Sequence, residues 1–211
     1  MKYPNFGLEK KLFKQGYQYI AAIDEVGRGA WAGPLVAAAI ILDFQLVTFP
    51  KKLPIKKLEI KDSKLLPEKI REKIFRQINK KVIWSAGIVS HEEIDHYGLS
   101  WANQQAIFRA LDGLPFDPDY LLLDMIKGFK HSTPFNLIID GDRKIFSIAL
   151  ASILAKVTRD HLMKKYHRRF PHYHFAKNKG YGTSFHFLSI KKYGVCPLHR
   201  RSFLPIKKLS G

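Results

Sequence analysis

The chain carries 36 Lys and Arg residues against 18 Asp and Glu, so its few acids are the natural place to look for chemistry. Asp24 and Glu25 stand side by side at the end of an apolar run and lead into Gly27-Arg28-Gly29. Asp124 closes the run Tyr120–Leu123, and Asp140 and Asp142 follow Leu137–Ile139. Carboxylates gathered at one place repel and raise one another's pKa values unless a cation compensates. Mg2+ and Mn2+ are the compensating ions that suit oxygen ligands. A pair of such ions activates water and stabilises the leaving oxygen in an in-line phosphodiester displacement, while a basic surface holds the polyanion. Any one of these aspartates could equally serve in a turn or at a helix start. Three separate strand ends plus an adjacent Asp-Glu pair favour a site.

Gly27, Gly29 and Gly33 superficially suggest a dinucleotide fingerprint. The third glycine falls one place too late, and Asp24-Glu25 would set negative charge beside a pyrophosphate, so that reading is rejected. A tight glycine turn does let backbone N–H and C=O groups approach a ligand closely. A ribose 2′-hydroxyl both donates and accepts, so such a turn can read it without side chains. The alternative is a plain connection between two strands.

The elements that must position these residues follow from periodicity. Tyr17–Ile23 and Leu35–Leu42 read as strands, the second apolar throughout and so buried on both faces. Residues 48–64, rich in Pro and Lys, read as a loop. Pro67 suits the first turn of a helix reaching about Lys80, and Val82–Val89 is a third strand. Ser90 and Glu93 have capping-box spacing, and Leu99–Leu111 is helical. Tyr120–Leu123 and Leu137–Ile139 are short strands that each run into an aspartate. A long helix covers about Ile145–Lys165; a loop around Gly180 and Gly182 follows, and Thr183 caps a helix through Lys192. Strands alternating with helices indicate a mixed α/β layer architecture. If the strands before the acids run parallel, their carboxyl ends share one sheet edge, where such sheets place ligands. Neighbouring first and fourth strands would bring Asp24 and Asp124 within reach of each other.

At 211 residues, 46% apolar and 26% charged, the chain is an ordinary globular domain in everything but its net charge of +18. Residues 156–211 hold fourteen Lys and Arg against one acid, Asp160. One-sided clustering of that kind points to a polyanionic partner. A single cysteine, Cys196, excludes an internal disulfide and a CxxC zinc site. The stretch from Ala30 to Leu42 is too short to span a membrane and is interrupted by Gly33-Pro34. A polar start without an apolar core argues against a secretory signal, so a cytoplasmic location is expected.

The run Ile23-Asp24-Glu25-Val26-Gly27-Arg28-Gly29-Ala30-Trp31-Ala32-Gly33-Pro34 closely resembles the signature of the ribonuclease HII family. Further matches follow in order: Asp62-Ser63-Lys64, Leu122-Leu123-Asp124, Gly141-Asp142, the run from Ala151 to Asp160, Lys179-Gly180-Tyr181-Gly182-Thr183, and His199-Arg200-Arg201-Ser202-Phe203. The resemblance spans roughly residues 17–205 and implies an RNase H-like, mixed five-stranded sheet flanked by helices. It places a catalytic core at residues 1–165 and a basic, helical C-terminal extension at 166–211 that contributes to substrate binding.

The implied activity is endonucleolytic hydrolysis of RNA in RNA–DNA hybrids, with nicking 5′ of ribonucleotides embedded in duplex DNA, as ribonucleotide excision requires. Two-metal chemistry with Mg2+ or Mn2+ would leave a 3′-hydroxyl and a 5′-phosphate. By that likeness Asp24, Glu25, Asp124 and Asp142 match the metal-binding catalytic carboxylates. Gly27, Arg28 and Gly29 match the loop that contacts the 2′-hydroxyl, and Tyr181 the tyrosine that packs on the sugar at the RNA–DNA junction. Lys64, Lys156, Lys179, Thr183 and Arg201 are the candidates for phosphate contacts. Two positions depart from the family pattern: Met125 stands where glycine is usual, and Asp140 where lysine is common. Asp140 is therefore a rival for the role of Asp142. Tyr181 has a plain alternative as a packing residue for the helix that follows. The histidines after Lys156, His172 and His174 among them, receive no metal role. A monomer without membrane attachment is expected. The alternatives in other classes are a junction-resolving nuclease, a non-catalytic nucleic-acid binding module and, least favoured, a membrane-surface protein.

Overall fold

The computed structural model describes residues 4–42 and 66–210. Helix α1 (Gly7–Lys14) precedes strands β1 (Ile20–Val26) and β2 (Leu35–Leu42). Then come α2 (Glu68–Ile78), β3 (Ile83–Val89), α3 (His91–Tyr97) and α4 (Leu99–Asp112). Strands β4 (Tyr120–Asp124) and β5 (Phe135–Ile138) lead into the short α5 (Gly141–Lys144) and the long α6 (Phe146–Arg169). A 3-10 turn (Pro171–Tyr173), α7 (Phe175–Asn178), α8 (Ser184–Tyr193) and α9 (Leu204–Ser210) complete the described chain.

The five strands form one mixed sheet in the order β3-β2-β1-β4-β5. The pairs β1–β2 and β2–β3 are antiparallel, whereas β1–β4 and β4–β5 are parallel. The predicted mixed sheet with helices on its faces is therefore the observed one. Side chains alternate across a strand, and that parity sorts the core. Ile20, Ala22, Ala38, Ile40 and Leu122 pack against α6 through Ile148, Leu150, Ile153 and Leu154. Ala21, Ile23, Ala37, Ala39 and Leu123 face α4 through Ala102, Ala106, Ile107 and Ala110. Each fully buried Ile or Leu removed from water contributes about 1.5–3 kcal/mol. Close contact on the α4 face depends on small residues. A Cβ at Gly87 of β3 would come within 2.5 Å of the Ala110 amide nitrogen, so only glycine lets α4 lie this near the sheet.

A third apolar cluster gathers Ala32, Met163, Tyr173, Phe175, Ile190, Cys196, Leu198 and Ile206. It ties the segment after α6 to the β1–β2 connection.

Local signals explain most element starts. The Ser90 hydroxyl accepts from the Glu93 amide at 3.2 Å and the Glu93 carboxylate accepts from the Ser90 amide at 2.9 Å, a complete capping box. Thr183 caps α8 by accepting from the His186 amide at 3.3 Å. Pro67 stands at the cap position before α2.

Several boundaries differ from expectation: β5 is Phe135–Ile138 rather than Leu137–Ile139, and α6 runs on to Arg169. Strand β1 runs from Ile20 to Val26 rather than Tyr17 to Ile23, because its antiparallel pairing continues to Val26 opposite Val36. The amides of Gln18 and Tyr19 are taken instead by the Asp119 carboxylate, at 2.7 and 3.0 Å. Asp24 and Glu25 thus lie inside the strand, not beyond it. Helix α1 was not foreseen; its buried Glu9 accepts from the backbone and hydroxyl of Ser147 at 3.1 and 2.8 Å, which seats it on α6. Among the described residues no helix is long and apolar enough to cross a membrane.

Candidate active site

Parallel pairing of β1 with β4 aligns Ile23 with Leu123, so the next residues along, Asp24 and Asp124, stand level at the same sheet edge. Strand parity then separates the adjacent pair. Asp24 shares the face of Ile20 and Ala22 toward α6, and Glu25 the face of Ala21 and Ile23 toward α4. Asp24 is buried and accepts from the Glu25 amide at 2.8 Å. On the other face, Glu25 receives Asn103 of α4 and Arg28, each at 3.4 Å on Oε1. Asp124 accepts from the Gly141 amide at 2.9 Å, which fixes the start of α5 against β4.

Asp140 and Asp142 part at that start. Asp140 occupies a left-handed backbone conformation at φ 54 and is exposed, whereas Asp142 is buried within α5. Asp142 is also the one that acts electrostatically on Asp24. Burial, then Glu25, then Asp124 and Asp142 hold the Asp24 carboxyl well above the usual carboxylate range, with a Ser152 hydrogen bond opposing them. Burial raises Glu25 as well; Arg28 opposes that shift and Asp124 adds to it. Four carboxylates therefore share one edge with incomplete compensation. Such a donor set, hard oxygen ligands at one sheet edge, fits a divalent cation. Among the described residues no group of three or more His, Cys, Asp or Glu side chains is arranged to enclose an ion, so binding one entails drawing the carboxylates together.

The connection after β1 supplies the second half of the site. Gly27 has φ 98, and a Cβ there would lie 2.9 Å from both the Pro34 carbonyl oxygen and Cδ of Arg159, so the turn admits only glycine. Arg28 and Gly29 beyond it are exposed. The loop bearing Tyr181 lies against this connection: the amides of Trp31 and Ala32 donate to the Gly180 carbonyl at 2.8 and 3.2 Å.

Two buried guanidiniums fasten both loops. Arg159 donates to the carbonyls of Pro34 at 2.8 Å, Lys179 at 2.8 Å and Ala32 at 3.2 Å. Arg200 donates to those of Gly33 and Arg28, both at 3.0 Å. Burial and the neighbouring Arg159 pull Arg200 down to about 9, which leaves it charged at neutral pH. The Arg159 guanidinium also lies 5.3 Å from the centre of the half-buried Tyr181 ring.

The remaining sequence-derived candidates are less uniform. Lys64 lies outside the described residues. Lys156 is ion-paired with Asp160, which also meets Arg71 at 3.5 Å. Lys179 is buried, with its ammonium 3.4 Å from Glu68. Thr183 is exposed at the start of α8, and Arg201 is exposed with its amide donating to Asp95 at 2.8 Å. Asn103, Ser152, Arg159 and Arg200 were not singled out from sequence. Arg159 and Arg200 stand inside the matched runs, but nothing in their spacing says that a guanidinium turns inward to backbone carbonyls. Asn103 becomes visible only once α4 is packed on the sheet.

A family model described as Ribonuclease HII matches residues 21–206. A ribonuclease HII of Listeria monocytogenes is 45% identical over 203 residues, covering 95% of this chain and 73% of its own length. Among solved structures, the ribonuclease H2 of Pyrococcus horikoshii superposes with a TM-score of 0.73 at 25% identity, covering 92% of this chain and 97% of its own. A Bst ribonuclease HIII in complex with Mn2+ shares the fold at 18% identity, with a TM-score of 0.70 over 92% of this chain and 69% of its own.

Proposed function

We propose a reaction from one premise: this chain belongs to the ribonuclease HII family. It is a nuclease of the ribonuclease H type, and we read it as hydrolysing the RNA strand of RNA–DNA hybrids and nicking 5′ of single ribonucleotides in duplex DNA. The observation that carries this reading is the buried Asp24 carboxyl, raised first by burial and then by Glu25, Asp124 and Asp142, at one sheet edge beside a glycine turn. A divalent cation with oxygen ligands relieves such crowding.

Asp24, Glu25, Asp124 and Asp142 would hold the ions. When bound, two Mg2+ or Mn2+ ions would supply an activated water and stabilise the leaving 3′-oxygen, giving 3′-hydroxyl and 5′-phosphate ends; the Mn2+ of the Bst ribonuclease HIII suggests the ion to try first. The chain's own contribution is placement. The Gly27-Arg28-Gly29 backbone meets the 2′-hydroxyl, which DNA lacks. Tyr181 offers an aromatic face to the sugar at the junction. Asn103 and Arg28 orient Glu25 by donating to the same oxygen, Oε1. Phosphate contacts fall to exposed Arg201 and Thr183, since Lys156 and Lys179 would first have to leave Asp160 and Glu68. In this scheme residues 1–165 form the catalytic core and 166–211 the substrate-gripping extension.

The test is a duplex with one embedded ribonucleotide, incubated with Mn2+ or Mg2+. Nicking on the 5′ side of that ribonucleotide is expected, together with an intact all-DNA control. Binding without nicking would leave only a nucleic-acid binding module, and equal cutting of the control would remove 2′-hydroxyl discrimination.

A further inference from the structure

We propose that His186 and His199 form a buried relay that sets the position of the Tyr181 loop, making them positioning residues for the ribonucleotide junction. The proposal rests on the reading of Tyr181 as the residue that meets the sugar. Both rings are fully buried, with Nε2 facing Nε2 at 3.0 Å. Their outer nitrogens fix the protons. His199 Nδ1 accepts from the Cys196 amide at 2.9 Å, so that nitrogen is unprotonated. Its hydrogen then sits on Nε2 and is donated to His186 Nε2. His186 in turn carries its proton on Nδ1, which lies 2.9 Å from the Tyr181 carbonyl, an acceptor only. The chain Cys196 N–H to His199 to His186 to Tyr181 O=C uses every ring nitrogen once with both rings neutral.

The Cys196 carbonyl also stands 3.2 Å from His199 Nδ1. A proton directed there would leave His199 Nε2 as an acceptor and force two protons onto His186. The surroundings resist such an imidazolium. Burial lowers both histidines, and His91 and Arg201 lower His199 further, to about 4. The Cys196 thiol is itself pushed up by burial to about 11, and Tyr173 and Phe175 present rings. The neutral arrangement is the one consistent with both the distances and the environment.

The consequence is geometric. The Tyr181 loop is held at Gly180 by the amides of Trp31 and Ala32, at Lys179 by Arg159, and at the Tyr181 carbonyl by the Thr183 amide at 2.8 Å together with the relay. The Trp31 ring lies 5.7 Å from that of His186, so the holds at Gly180 and Tyr181 are in contact. Among the described residues, the hydrogen bonds and ring contacts of His186 and His199 reach none of the four carboxylates, so loss of the relay should act on substrate fit rather than on the chemical step.

The experiment compares the full-length protein with the His186→Phe, Tyr181→Ala and double variants on the embedded-ribonucleotide duplex with Mn2+. For folded His186→Phe, we expect KM to rise about tenfold with kcat held within about twofold, the cost of one buried hydrogen bond felt through positioning. In the Tyr181→Ala background the same substitution should add nothing, because both changes act on one contact. A wild-type KM for His186→Phe, or losses that multiply in the double variant, would overturn the relay. A wild-type KM for Tyr181→Ala would instead strike the underlying reading of Tyr181. Should His186→Phe fail to fold, His186→Asn offers an amide N–H toward the Tyr181 carbonyl. KM within about threefold of wild type is then expected, and a KM matching Tyr181→Ala would count against the relay. Nitrogen-15 NMR at neutral pH reads the tautomers directly: Nδ1–H in His186 and Nε2–H in His199 support the relay, and any other pattern refutes it.

Discussion

Asp24 is an acid that folding makes harder to ionise, so its charge costs stability at a place where the proposed metal role would require it. Its folded pKa is raised well above the ordinary value of 3.8, so the folded protein binds the proton more tightly than the unfolded chain. The resulting destabilisation is absent below pH 3.8, grows as pH rises through the folded pKa and is complete above it. Asp24→Asn should therefore raise Tm of the metal-free protein at pH 7, by roughly 2–4 °C for each kcal/mol of repulsion relieved, and leave Tm unchanged near pH 3.5. It should also abolish cleavage, and Mn2+ should stabilise the wild type more than the variant. Scanning calorimetry with and without Mn2+ checks both statements. Asp124→Asn should likewise stop cleavage while hybrid affinity, read by fluorescence anisotropy, stays near wild type. At this scale the sequence was informative: five acids at strand ends and a glycine turn drew attention by type and position. Choosing Asp142 over Asp140 by geometry required the left-handed backbone at Asp140, which no spacing rule reveals.

Elements carry the placement that single residues cannot. Arg200 reaches from the segment after α8 to the carbonyls of Gly33 and Arg28; a lysine there keeps the charge but has no planar fork to serve both acceptors. Arg200→Lys should cost about 2–4 kcal/mol, since one buried carbonyl is left unsatisfied and a compact ammonium stays buried. Urea unfolding should show a lower midpoint at unchanged slope. The histidine pair adds a pH signature on the same elements. A folded His199 pKa of about 4 against an ordinary 6.5 gives stability that is full above pH 6.5 and is lost as pH falls toward 4. His199→Asn should flatten that acid limb in a pH series of urea midpoints. The apolar strand Leu35–Leu42, the capping box at Ser90 and the Thr183 cap were legible because each depends on local residue type. The register of β1 was not, since Gln18 and Tyr19 are withheld from the sheet by Asp119, about a hundred residues away. Helix α1 escaped notice for the same reason: its seat on α6 is a buried Glu9–Ser147 contact with no local signature.

Over the whole molecule, charge is unevenly divided: residues 156–211 hold fourteen Lys and Arg against one acid, and all four proposed metal ligands precede them. Helix α8 exposes Phe185 and Leu188, with Lys177 5.6 Å from the Phe185 ring and Lys191 4.9 Å from that of Phe187. Cations set over aromatic faces in a strongly basic region suit a nucleic-acid backbone. Hybrid affinity should fall steeply with salt, and Lys191→Gln with Lys192→Gln should reduce the slope of log K against log salt by up to about 1.8. An unchanged slope would place the duplex elsewhere. One more consequence lies in the fastening of the two loops. Arg159 and Arg200 address the carbonyls of Pro34, Lys179, Ala32, Gly33 and Arg28, and a peptide carbonyl is the same whatever side chain stands beside it. A change of side chain at an acceptor position therefore leaves the latch its oxygen, so tolerance there is set by local packing, as at buried Ala32 and at Gly33 with its positive φ, whereas loss of either arginine opens the latch outright.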